Sequence, residues 1–276
     1  MGINSVDAKL LLRLRARGYV RNNAAIVEIG AQQLTNDFLR ASNVTNRLCK
    51  AFGVKPRAFG AATDGRFVTA ELEHLADSAP ASRDFWQWLG FTYASIDIDG
   101  SPGSIPLDLN FDDIQQEARS AFALVTNFGT TEHIANQLNA FKIIHDLAEL
   151  GGVMIHHLPA QGYMNHGLVN YNPKFFWMLA RSNGYKWLHS NFEISTVAHP
   201  IDRDILDEVR QHTRNIDWRA RSYRVSDCEI LVALQKVYNI DYVPPLDMPT
   251  GTEAPHQKLK ERYWTVFEPG DLARHL

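Results

Sequence analysis

The residues best able to move a proton crowd the middle of the chain. Glu132 and His133 lie in TTEH, His156 and His157 in GVMIHHL, and Tyr163, Asn165 and His166 just beyond. An imidazole titrates near neutral pH, so His133, His156 and His157 are candidate general bases toward a hydroxyl or an amine. The segment from Gln161 to Asn172 mixes hydrogen-bonding side chains with glycines, as a loop that closes over a substrate would. Glu132, Tyr163, Asn165 and His166 are therefore candidate substrate contacts. Each has a plainer alternative. His133 can serve as scaffold, His145 is expected to be solvated on its helix, and strand alternation sends His156 and His157 to opposite faces, so at most one acts. Glu132, His133, His156, His157 and His166 own donor atoms for a metal, but no H-x-x-x-H pair on one helix supports a centre, and none is expected.

A second group of reactive residues falls where apolar runs stop. Runs at 24–30, 93–99, 104–109, 122–128, 152–158, 185–192 and 228–235 read as strands. Several are almost wholly apolar, the mark of parallel strands covered on both faces. Helical patterns separate them: Leu138, Phe141, Ile144 and Leu147 share a face before Gly151-Gly152. A second helix has Asn172 as N-cap, Pro173 at its first position and Gly184 past its end. Strand, helix, strand in that rhythm gives an α/β protein with right-handed crossovers. Ligands of such sheets sit beyond the carboxyl ends of the strands. The residues there are Glu28, Gly30, Ala31 and Gln32; Asp97 and Asp99; Asp108 and Leu109; Asn127 and Phe128; His156 and His157.

The frame has two departures. About sixty residues, 33–92, separate the first two strands, far more than one crossover needs. They read as a helical insertion capping the ligand site, with Trp86, Trp88 and Phe91 lining a pocket beneath it. The segment 201–227 interposes between the last two strands, and 237–276 reads as an irregular tail. Phe175, Phe176, Trp177, Tyr185 and Trp187 recur at core spacing and are assigned to packing.

Bulk properties narrow the function. With 276 residues, 45% hydrophobic and 21% charged, the chain suits a single domain, 1–276. A net charge of -3 argues against a nucleic-acid or anionic-membrane surface. The arginines of LLLRLRARGYVR read as the solvated face of an amphipathic helix. Two distant cysteines point to a reducing cytoplasm, no apolar run approaches the roughly 18 residues of a membrane span, and no secretory signal is visible.

In this order the segments VEIGA, YASIDID, LDL and FALVTNFGTTEHIANQLNAFKIIHDLAELGGVMIHHLP resemble the class I S-adenosylmethionine-dependent methyltransferases, over residues 24–160. The resemblance implies a Rossmann-like, seven-stranded mixed and mostly parallel sheet flanked by helices. It implies S-adenosyl-L-methionine as cofactor, with Glu28, Gly30, Ala31 and Gln32 near the methionine part and Asp97 or Asp99 at the ribose. Asp108 and Leu109 would meet the adenine, and Asn127 and Phe128 the floor beneath the reactive methyl. The family's loop carries more glycines; here Ala31-Gln32-Gln33 follows Gly30. The acceptor expected is an oxygen or nitrogen of a small polar metabolite, with histidine assistance, no nucleic-acid or membrane partner, and room for a homodimer. A dinucleotide dehydrogenase would need G-x-G-x-x-G, which is absent. Another nucleotide-binding α/β enzyme, such as a reductase or sugar-nucleotide enzyme, and a non-catalytic cofactor-binding protein remain as alternatives.

Overall fold

The computed structural model describes residues 2–59, 80–98, 103–163, 165–194, 197–200, 227–247 and 263. Eight strands form one sheet: β1 (Ala25–Ile29), β2 (Thr92–Asp97), β3 (Ser104–Pro106), β4 (Phe122–Phe128), β5 (Ala148–Gln161), β6 (Lys186–Ile194), β7 (Val197–Pro200) and β8 (Cys228–Gln235). Their order is β3-β2-β1-β4-β5-β8-β6-β7. From β3 to β5 all pairings are parallel, and β8 runs antiparallel between β5 and β6. This is the expected Rossmann-like, mixed and mostly parallel sheet, with the short edge strand β7 paired antiparallel to β6.

Six helices flank it among the described residues: α1 (Ser5–Ala16), α2 (Asn36–Arg40), α3 (Ser42–Phe52), α4 (Ser82–Trp88), α5 (Gln137–Leu147) and α6 (Pro173–Asn183). Alternation decides which side each strand residue serves. Leu124, Val153, Ile155 and Leu231 pack with α1, α3 and α4 on one face. Val125, Met154, Leu158 and Ile230 pack with α5 and α6 on the other. Both faces are dry, which is why the central runs are apolar almost throughout.

The cues at α6 hold in detail: Asn172 accepts from the Lys174 amide, Pro173 opens the helix and Gly184 closes it at φ 64°. Other boundaries differ. Gly151 and Gly152 sit inside β5, because Lys236 exchanges backbone hydrogen bonds with both and extends the ladder below them. The third strand ends at Pro106, after which Asp108 turns the chain by accepting from the Asn110 amide. Within the insertion the helical pattern from Asn36 is present as α2 and α3, α4 is a further helix, and the 66–79 helical pattern lies outside the described residues, as do 201–226 and most of the tail beyond 247. Trp86 and Phe91 are core rather than pocket: both are buried and pack edge to face. The helix α1 is more buried than a basic amphipathic face requires. Arg15 donates to the carbonyls of Val20 and Ala51 and stacks on Phe52, while Arg13 stays exposed.

Candidate functional site

The strand order reverses between β1 and β4, and the loop after β1 meets the loop after β4 at that crevice. Gly30 there adopts φ +79°, and a Cβ on it would lie 2.2 Å from the Thr130 hydroxyl oxygen. Only glycine fits so tight a turn at that φ. Thr130 donates to the Ile29 carbonyl and receives the Gln32 amide at 3.1 Å. The Gln32 side chain thus fills space that a further glycine would leave open. Its carbonyl oxygen, Oε1, is buried without a hydrogen-bond partner. Beside it, the Asp97 carboxylate at the end of β2 accepts the Ala31 amide at 2.8 Å, tying the loop to the neighbouring strand. Asp99, the alternative ribose acid, lies outside the described residues.

Glu28 behaves differently from the expectation of a methionine contact. It is fully buried, and its oxygens accept from Ser82 Oγ, Trp86 Nε1 at 2.6 Å, Tyr93 OH at 2.8 Å and the backbone N–H of Gln32 at 3.3 Å. Burial raises its pKa and these donors oppose the rise. The side chain pins α4 and β2 to β1. Asp108 is likewise engaged in its turn, and Leu109 is buried in the core behind it. Asn127 is buried at the end of β4, donating to Thr131 Oγ1 at 2.9 Å and receiving the Thr131 amide, with Phe128 buried next to it.

The paired histidines part to opposite faces, as alternation requires. His156 lies between Phe141 and Phe176, and burial lowers its pKa to about 3. Its Nδ1 is 3.3 Å from Asn127, while Nε2 has no partner. His157 points toward α1. Its Nδ1 is 2.8 Å from Asp7 Oδ1, and its Nε2 is 3.1 Å from Glu193 Oε2 and 3.0 Å from Glu229 Oε2. Burial pulls its pKa down, but the three carboxylates outweigh that and hold it well above the usual value. Neither ring is placed as the expected general base: His156 is walled in by aromatics, and His157 is held by acids on both nitrogens.

Of the substrate candidates, Glu132 and His166 come together, with His133 beside them. Glu132 is completely buried, both carboxylate oxygens lack hydrogen-bond partners, and burial lifts its pKa to about 7. His133 Nε2 and His166 Nε2 each lie 3.8 Å from its Oε1. The two imidazoles are partly exposed, and partial burial lowers both pKa values. The loop after β5 covers Glu132 with its own backbone. Leu168 and Val169 donate to the Glu132 carbonyl, and a Cβ on Gly167 would lie 2.9 Å from Glu132 Cγ. Tyr163, in the left-handed region at φ 46°, donates from its hydroxyl to Glu229 at 2.6 Å. Asn165, at φ 66°, stands exposed at the loop tip.

Three residues of this region escaped the sequence reading: Asp7, Glu193 and Glu229. Glu229 had a signal, as a single acid in the otherwise apolar run CEILVAL, and Glu193 a weaker one between Phe192 and Ile194. Asp7 had one too, as the fourth residue of the N-S-V-D capping box. His145, expected to be solvated, is instead buried between Tyr185 OH at 2.6 Å and the Ile240 carbonyl at 2.8 Å.

No family model matches this chain, and no curated protein matches it. Among solved structures it is similar to a SAM dependent methyltransferase from Archaeoglobus fulgidus, with 9% identity over 83% of this chain and 94% of that one, at a TM-score of 0.37. It is similar to the 16S rRNA (adenine(1408)-N(1))-methyltransferase from Catenulisporales acidiphilia, with 7% identity over 82% and 94%, at 0.40. A third is the 1,6-didemethyltoxoflavin-N1-methyltransferase from Burkholderia thailandensis, with 11% identity over 85% and 78%, at 0.37. These are distant likenesses. The sheet's own order, with β8 antiparallel between β5 and β6, is what defines the fold as a Rossmann-like mixed sheet.

Proposed function

We propose that the chain is an S-adenosylmethionine-dependent methyltransferase acting on an oxygen or nitrogen of a small polar metabolite. The observation that carries this reading is the edge shared by β3, β2, β1 and β4. Their carboxyl ends bring Asp108 and Leu109, Asp97, the Gly30 turn, and Asn127 with Phe128 side by side in the order the family resemblance requires. The Gly30 turn fits the cofactor in one testable respect. Gln32 Oε1, a buried acceptor with no partner, is suited to the ammonium group of the methionine part. Asp97, half-buried on the Ala31 amide, would take the ribose hydroxyls. Leu109 would offer an apolar contact to the adenine. Glu28 is assigned to the scaffold of that loop, because its oxygens are already engaged.

Once bound, the cofactor supplies an electrophilic methyl on a sulfonium. The protein's share is to orient the acceptor and take its proton. Glu132 suits that task better than the paired histidines. Its pKa near 7 and its two unengaged oxygens match a base working at neutral pH, and His133 and His166 flank it to hold a polar acceptor. The loop carrying Tyr163, Asn165 and His166 would open to admit the acceptor and close over it.

The test is calorimetric titration with S-adenosylhomocysteine and, separately, NAD, on wild type and Asp97→Ala. Micromolar binding of S-adenosylhomocysteine alone, lost in the variant, is expected. Binding of NAD instead, or of neither, overturns the reading.

A further inference from the structure

Apart from the cofactor edge, one group of side chains is organised around a single point. His157 Nε2, Glu193 Oε2 and Glu229 Oε2 come from β5, β6 and β8, three strands adjacent in the sheet, and all three meet at its carboxyl-end edge. We propose that these three side chains form a binding site for a divalent first-row transition ion, zinc or manganese in character, with Asp7 orienting the imidazole from behind.

The spacing fits a cation. Metal–nitrogen and metal–oxygen bonds near 2.1 Å place neighbouring donors about 3.0 Å apart at octahedral angles and about 3.4 Å apart at tetrahedral ones. The observed separations from Nε2 are 3.1 Å and 3.0 Å. Nε2 is buried, yet it has no aligned hydrogen bond with either oxygen, so the nitrogen addresses the space between them. The other trio able to offer three donors, Glu132, His133 and His166, places its imidazole nitrogens 3.8 Å from the carboxylate oxygen on two partly exposed rings, a looser and wetter arrangement.

The surroundings fit as well. Asp7 Oδ1 takes the Nδ1 proton at 2.8 Å and so orients the ring with Nε2 toward Glu193 and Glu229, where a divalent ion would take the place of a proton on Nε2. Asn4 Nδ2 steadies Glu193, and the Tyr163 hydroxyl occupies the second oxygen of Glu229. Glu229 therefore keeps one oxygen toward the centre, and Glu193 presents Oε2 there while Asn4 spans both its oxygens at 3.3 and 3.4 Å. Charge points the same way. Among the described residues, the ion pairs of Asp7, Glu193 and Glu229 all converge on one imidazole. Two buried acids and the half-buried Glu229 against one imidazole leave a negative excess that a divalent ion would offset. One imidazole and two carboxylates form a mixed hard and borderline donor set, unlike the all-oxygen cages of calcium or the thiolate sets of structural zinc. This inference does not rest on methyl transfer, and S-adenosylhomocysteine binding neither supports nor weakens it.

The experiment uses the full chain, stripped with chelator and equilibrated in turn with Zn²⁺ and Mn²⁺, then freed of excess metal and assayed by elemental mass spectrometry. The expected result is one ion per chain in wild type, lost in Glu193→Gln and in Glu229→Gln. Asp7→Asn is expected to weaken binding by about 10–100-fold. The double variant His133→Ala/His166→Ala should retain the ion. X-ray absorption on metal-loaded wild type decides the matter if the buried variants fail to fold: a shell of light donors with a single imidazole is expected. Failure of wild type to retain either metal, retention unchanged in both glutamine variants, or a shell with no imidazole overturns the proposal. In that case His157 is an imidazolium bridging three carboxylates.

Discussion

Asp7 divides its carboxylate between two tasks: Oδ1 binds the His157 imidazole at 2.8 Å and Oδ2 accepts the Asn4 amide at 2.9 Å. The same side chain that closes the capping box of α1 therefore docks that helix on β5. Asp7→Asn keeps the shape but removes the charge facing His157 and leaves one of the two bonds unmade. A loss of about 2–4 kcal/mol in unfolding free energy is expected. Urea titration followed by far-UV dichroism measures it, and a change below about 0.5 kcal/mol would show that the pairing is incidental.

Gly30→Ala tests the crevice between β1 and β4. The new methyl would fall on Thr130 Oγ1 while the backbone stays at φ +79°. A destabilisation of about 2–3 kcal/mol is expected, together with weaker S-adenosylhomocysteine binding. Adding Thr130→Ala should recover the steric part and not the backbone part, which thermal melts of the two variants would separate.

Glu28→Gln probes the tie between the insertion and the sheet. The amide presents one acceptor oxygen where the carboxylate serves Ser82, Trp86 and Tyr93 together. About 1–3 kcal/mol should be lost through the donors left unsatisfied. Because Trp86 loses a charged acceptor, its near-ultraviolet dichroism band should change; an unaltered band at full stability would sink the assignment.

The buried His145 predicts a pH dependence. Burial first, then the nearby Lys236 ammonium, lowers its pKa to about 4 against an ordinary 6.5. Below pH 6.5 the unfolded chain takes up a proton there that the folded chain refuses. The stability it supports is complete above 6.5 and is lost as pH falls toward 4, with a limiting slope of about 1.4 kcal/mol per pH unit. His145→Gln should be less stable than wild type at pH 7.5, having lost its bond to Tyr185 or Ile240, yet lose less between pH 6.5 and 5. Denaturant titrations across that range, run in parallel, would expose the mechanism as wrong if both proteins fell equally.

The architecture was readable because its signals are local. The runs at 122–128 and 228–235 coincide with β4 and β8, and Asn172, Pro173 and Gly184 bracket α6 by conformational preferences within single residues. What escaped depends on partners far along the chain. Gly151-Gly152 reads as a stop, yet pairing with Lys236 draws it into β5. His145 reads as solvated on its helix, until Tyr185 and Ile240 close over it. The catalytic candidates illustrate the same limit. Residue type nominated Glu132, His133, His156 and His157 alike, and only the fold separates a carboxyl with unengaged oxygens from an imidazole sealed between Phe141 and Phe176. Asp7, Glu193 and Glu229 stand nowhere near one another in the sequence; sheet order brings the two glutamates beside β5, and the docking of α1 brings Asp7.

The contact of Asn4 with Glu193 spans 189 residues. Helix α1, made long before β6, therefore waits for that strand before Asn4 can reach Glu193, and His157 waits for β8 to bring Glu229. Until then α1 carries a row of leucines, Leu10, Leu11, Leu12 and Leu14, that the finished fold buries completely. Contacts of such long range close late and slow the search for the native state. The nascent chain thus passes through a stage with an apolar helix uncovered, when it is most open to chaperone capture or self-association. Truncation before residue 229 should trap that stage, with a helical but aggregation-prone product.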